Sequence, residues 1–137
     1  MREVIRARGH EHVAATHEST FEVTTDDWLT PAGDCIVGIE ADRAPADFDA
    51  DFVAACRDPE TTITLTLETA DTSQQVRARG HPDLTFESDR SAVVRTSAYV
   101  DERTVAVGAD AAAANLDRDL VAAPADGADL TFTLTVE

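Results

Sequence analysis

Three of the chain's four histidines fall around one short stretch, GHEHVAATHE at residues 9–18: His10, His12 and His17, with Glu11 and Glu18 beside them and Glu22 just beyond. Imidazoles and carboxylates are the side chains that hold divalent metals, and a neutral imidazole is the usual general base near neutral pH. On an extended strand His10 and His12 share a face, two residues apart. That spacing suits two nitrogens on one metal, with His17 or Glu22 completing the ligands and a water position left open. His17 has the opposite parity to His12 and joins only through a turn or bulge. The plainer alternative is hydrogen-bonded structure without a metal.

The fourth histidine, His81, closes a pentapeptide that also closes at His10. RARGH occupies residues 6–10 and again residues 77–81. On a strand Arg6, Arg8 and His10 point to one face, and Ile5, Ala7 and Gly9 to the other. The second copy sets Arg77, Arg79 and His81 against Val76, Ala78 and Gly80. Guanidinium forks recognise carboxylate or phosphate in bidentate geometry. Arg6, Arg8, Arg77 and Arg79 are therefore candidate anion ligands. His10, His17 or His81 would act as general base on a phosphorylated or carboxylated substrate. Arg95, Ser97 and Arg103, in VVRTSAYVDERT, would extend the same surface. The alternative is that these arginines pair with Asp and Glu on neighbouring strands and fix their register. Cys35 follows the turn LTPAGD and is expected as a small buried residue at a strand start, a thiol beside His17 being the second option. Trp28 is expected as a core or turn anchor. No Gly-rich phosphate loop, nucleophile elbow or zinc-finger spacing occurs.

The pentapeptide begins a longer repeat. Ile39-Glu40-Ala41-Asp42 corresponds to Val107-Gly108-Ala109-Asp110, Phe48 and Phe52 to Leu116 and Leu120, and Ile63–Leu67 to Leu130–Leu134. Matches in the same order through both halves imply an internal duplication, with units 1–70 and 71–137. ITLTLE and LTFTLTVE alternate apolar and polar residues, the period of half-buried antiparallel strands. CIVGIEA and TVAVGAD read as short buried strands. Phe48, Phe52 and Cys56 recur at helical spacing, as do Leu116 and Leu120, with Asp42 and Asp110 as expected N-caps. The fold class expected is mainly β (α+β), a single domain. In it two β-rich units, each with one short helix, form a β-barrel or sandwich about a pseudo-twofold. That twofold would set the two RARGH rows side by side.

Composition narrows the setting. Twenty-seven acidic residues face eleven basic ones, for a net charge of −16, and every basic residue is Arg. Charges this dense repel until salt screens them; the Debye length falls from about 10 Å at 0.1 M to about 3 Å at 1 M. An excess of Asp over Glu, no Lys and few large aliphatics are expected of an extreme halophile with a salt-filled cytoplasm. Most carboxylates then serve solubility. An acidic surface argues against generic nucleic-acid binding, which draws its affinity from phosphate neutralisation. No apolar run approaches the ~18 residues of a membrane span, and MREVIRARG lacks a signal-peptide core. Two cysteines make neither a disulfide framework nor a zinc motif. The expected location is the cytoplasm, with no membrane partner.

GHEHVAATHESTFEVT, followed by LTPAGDCIVGIEAD, closely resembles the archaeal family catalogued as domain of unknown function 371. RTSAYVDERTVAVGADAAA is similar to the second half of the same family. The resemblance covers essentially the whole chain and implies a small β-rich archaeal protein, with no activity attached to it. On the family pattern fall Gly9, His10, His17, Thr20, Glu22, Gly33, Asp34, Cys35, Gly80, His81, Arg95, Ser97, Arg103 and Thr104. His12 stands where the pattern has Asn. Thr96, Arg43 and Ala111 stand where Lys is usual, in keeping with the loss of Lys in salt.

Two functions of different class follow. One is a pocket at the His/Arg cluster for a small anionic ligand, a divalent metal, or both. The other is a non-catalytic protein-interaction module in which the RARGH strands are scaffold.

Overall fold

A computed structural model describes all of residues 1–137. In chain order the elements are β1 (Arg2–Arg8), β2 (Thr20–Thr24), β3 (Ile36–Gly38), α1 (Ala50–Cys56) and β4 (Thr62–Glu68). There follow β5 (Ser73–Arg79), β6 (Ser91–Arg95), β7 (Thr104–Ala106), α2 (Arg118–Ala125) and β8 (Asp129–Val136). A 3₁₀ turn precedes each helix, at Pro45–Asp47 and Ala113–Asn115.

The strands make two four-stranded sheets. The first runs β1-β8-β4-β5 and is antiparallel throughout; the second runs β3-β2-β6-β7, with an antiparallel centre and parallel outer pairs. They meet at two corners through single bridges, Arg8 to Ile39 and Arg79 to Val107. One bridge per corner is no ladder. Of the two architectures expected, the closed barrel is therefore not the one formed; the molecule is mainly β, with two sheets and two short helices.

Strict alternation decides which side of the first sheet is core. Ile5 and Ala7 of β1, Ile63, Leu65 and Leu67 of β4, Val76 and Ala78 of β5, and Phe132 and Leu134 of β8 are all buried. Phe21 of β2 meets Phe132 edge-on at 6.1 Å, which ties the two sheets together. Each such side chain contributes about 1.5–3 kcal/mol by leaving water. Both helices are short, so packing rather than propensity holds them. Phe52 and Cys56 of α1 and Leu120 and Val121 of α2 are buried against the sheets.

The caps differ from expectation. Asp49 and Asp117 cap the helices, accepting from the N–H of Asp51 and Asp119. Asp42 and Asp110 lie before the 3₁₀ turns and do other work. Asp42 takes the N–H of Arg6 at 2.9 Å and returns its own N–H to the Arg6 carbonyl; Asp110 does the same for Arg77, at 3.1 Å. They satisfy edge-strand groups that would otherwise stand open. No helix is long and apolar enough to cross a membrane.

Candidate functional site

β1 and β5 are the two outer strands of the first sheet. The RARGH rows therefore do not run side by side: three strand spacings, ~14 Å, separate them. Both rows face solvent on the same side of the sheet, with Arg6, Arg8, Arg77 and Arg79 all exposed. Two open clefts of about 300 Å³ reflect the separation, one touching Arg8 and His10, the other Arg77 and Arg79.

What the pentapeptide does is the same in both places. The strand ends at Arg8 or Arg79, and Gly-His crosses the end of a helix from the opposite half. His10 donates its N–H to the Pro124 carbonyl of α2 at 2.9 Å; His81 donates its own to the Cys56 carbonyl of α1 at 3.0 Å. Helix ends leave carbonyls without partners, and these amides serve two of them. Only glycine allows the approach. A Cβ on Gly9 would run into the Pro124 backbone, and one on Gly80 into the carbonyls of Cys56 and Asp58.

The imidazoles close the turns that follow. His10 Nδ1 accepts the His12 N–H at 3.0 Å, and His81 Nδ1 accepts the Asp83 N–H at 3.0 Å. His17 Nδ1 accepts from the N–H groups of Ser19 and Thr20, both at 3.2 Å. A neutral ring that accepts at Nδ1 carries its proton on Nε2, so the Nδ1 lone pair of each is engaged in holding its own turn. The strand predicted past Gly9 is thus a turn, and His10 and His12 stack with centroids 5.1 Å apart rather than pointing at one ion. No three His, Cys, Asp or Glu side chains gather as a metal site would need.

The remaining sequence candidates do converge, on the outer face of the second sheet. Glu22 of β2 is buried, and the Cys35 thiol donates to its carboxylate at 3.6 Å. Burial, then the neighbouring Glu22 charge, pushes the Cys35 thiol up to about 11, so at neutral pH it is no nucleophile. Thr20 stands beside the thiol, its hydroxyl 3.1 Å from His17 Nδ1. Arg103 lies 4.0 Å from Glu22 and 3.2 Å from Asp101. Arg95 bonds Asp101 at 3.1 Å and the Thr104 hydroxyl at 2.9 Å, and its guanidinium lies over the Tyr99 ring at 4.9 Å. Burial works against the Asp101 charge, but bonds from Thr104, the Arg103 amide and Arg95 outweigh it and hold the carboxyl below its ordinary range. Ser97 uses its hydroxyl on the Tyr99 N–H. These arginines are thus ion-pair partners rather than an extension of the RARGH rows. Trp28 is 55 % exposed, so of the two roles expected, core or turn anchor, it does not fill the first.

Sequence reasoning missed Arg2 and the threonines. Arg2 has the strand parity of Arg6 and Arg8, the signal that would have found it. Of the eleven arginines, five form ion pairs and Arg57 and Arg118 bind backbone carbonyls. Arg2, Arg6, Arg77 and Arg79 do neither. Their cross-strand neighbours are not carboxylates but Thr135, Thr131, Thr64 and Thr62.

Comparison with known proteins adds kinship. A family profile described as Domain of unknown function (DUF371) matches residues 5–137. The Uncharacterized protein MJ0206 of Methanocaldococcus jannaschii is 35% identical over 133 residues, covering 97% of this chain and 98% of its own.

Proposed function

The chain belongs to the DUF371 family, and from its geometry we propose that it is a non-catalytic interaction module in which the two RARGH strands are scaffold. One observation carries this reading: in both copies the glycine and the histidine are consumed in holding a helix end and a turn. Three of the four imidazoles accept a backbone N–H at Nδ1, so these nitrogens close turns. Metal analysis of protein purified in molar salt tests it. The expected result is no stoichiometric metal, with His10→Ala and His81→Ala altering stability alike. A one-to-one metal lost on His10→Ala would overturn it.

The reading includes descent from a duplicated half-length unit related by a pseudo-twofold. The element order supports it, since strand, strand, strand, 3₁₀ turn, helix, strand occurs twice. Register supports it too. A twofold requires the central pair of strands in each sheet to cross at matching positions. Thr66 faces Thr133 and Glu22 faces Val93, which correspond when the halves are aligned. A halophilic, cytoplasmic setting also belongs to this reading, resting on the charge of −16.

A second reading keeps the small anionic ligand at Arg77 and Arg79, which line one cleft, favoured by the lack of any protein partner for those guanidiniums. Melting with and without inorganic phosphate at constant ionic strength separates the two. A phosphate-dependent rise in Tm that Arg77→Gln abolishes would favour the ligand.

A further inference from the structure

We infer that the outer face of the first sheet is the contact surface for a second copy of this chain. No element of the fold covers that face. Its side chains stand in rows set by the strand register: Arg2, Thr135, Thr64, Arg77 in one, and Val4, Thr133, Thr66, Gln75 in the next. A third row holds Arg6, Thr131, Glu68 and Ser73. Threonine fills the centre; charge sits at the margins.

The charges say what fits. Arg2, Arg6, Arg77 and Arg79 have no acid within the chain, although acids outnumber arginines 27 to 11. The carboxylates of this face are equally single. Glu68 stands in the third row, and Asp58, Glu60 and Glu137 line, with Arg77 and four threonines, an open cleft of about 630 Å³. None of these four carboxylates forms an ion pair. In the strand register threonines stand between the charges of opposite sign, and none of them forms an ion pair within the molecule. A copy of the same face supplies the sign that each lacks, and an isologous contact repeats every such pairing twice. Elsewhere the molecule is acidic, and a copy approaching there meets like charge. Two flat sheets stacked about 10 Å apart would interleave their threonine methyls at the centre.

Mutual repulsion between copies of charge −16 opposes this contact in dilute buffer, and molar salt removes most of it. Sedimentation equilibrium of the full chain in molar KCl tests the inference, with Thr66→Glu and Thr64→Glu as variants. Both positions lie on β4 in the middle of the face and are half-buried, so folding is checked by an unchanged circular dichroism spectrum. The expected result is a wild-type dimer whose Kd rises at least tenfold in either variant, while Ser97→Glu, in the bend that follows β6 of the other sheet, leaves it unchanged. A wild-type monomer at millimolar concentration, or a dimer indifferent to both variants, overturns the inference. Either outcome in metal-free protein leaves the module reading standing; a stoichiometric metal strikes the module reading alone.

Discussion

Cys35 shows how a residue with reactive chemistry is put out of use. Its thiol is partly buried, and its nearest charged neighbour is the Glu22 carboxylate, so ionising it would place two negative charges together. The folded thiol titrates at about 11, above an unfolded cysteine at about 8.5. A group raised in this way lends full stability below the unfolded value and loses it as pH rises through the folded one. Wild-type stability should therefore fall more steeply between roughly pH 8.5 and 11 than that of Cys35→Ala, measured by denaturant titration along that range. At pH 8 iodoacetamide should label Cys35 slower than a free thiol by on the order of a hundredfold. Prompt labelling would mean that Glu22 does not stand where it is described. Cys56 has the same character for a simpler reason: burial, then the charge of Glu3, pushes it up to about 12.

At the scale of elements, Gly-His works as a crosswise clasp, each half holding the last turn of the other's helix. Gly9→Ala and Gly80→Ala should each destabilise by about 1–3 kcal/mol, because the added methyl meets backbone that cannot step aside. Calorimetry should give matching losses for the two. A harmless Gly80→Ala would remove the physical reason for the repeated motif. Much of this level was legible in the sequence. The alternation of Ile63, Leu65 and Leu67, the apolar stripe of Phe52 and Cys56, and the repeat itself identify the elements, because period and burial are local properties. Two things were not legible. A helix start depends on what precedes it, so Asp42 resembles an N-cap until the 3₁₀ turn displaces the helix to Asp49. Which strands neighbour each other is a property of the whole sheet. The RARGH rows share strand parity and face, but β4 and β8 lie between them. The cluster of Glu22, Cys35, Arg95 and Arg103 escaped for the same reason, since it is the antiparallel pairing of β2 with β6 that brings together residues some seventy positions apart in the chain.

The whole molecule is a small apolar core inside a strongly negative shell. Thirty-two buried residues form one cluster that draws on both sheets and both helices. Ion pairs such as Arg90 with Asp26 at 2.8 Å relieve only part of the surface charge, and exposed pairs contribute little each. Stability should therefore rise with salt well beyond the concentration at which isolated pairs are screened, as repulsion among carboxylates is removed. Thermal melts from 0.1 to 3 M KCl should show Tm climbing throughout; a Tm that is flat or falling would contradict the halophilic setting. The crosswise clasp has a consequence for how such a chain is made. When the first half leaves the ribosome, Gly9 has no α2 to rest against, and the final carbonyls of α1 face open water until residue 81 arrives. Completion of either half waits on the other: the α1 end closes only once residue 81 is made, and the Gly9 clasp only once α2 is, near the end of synthesis.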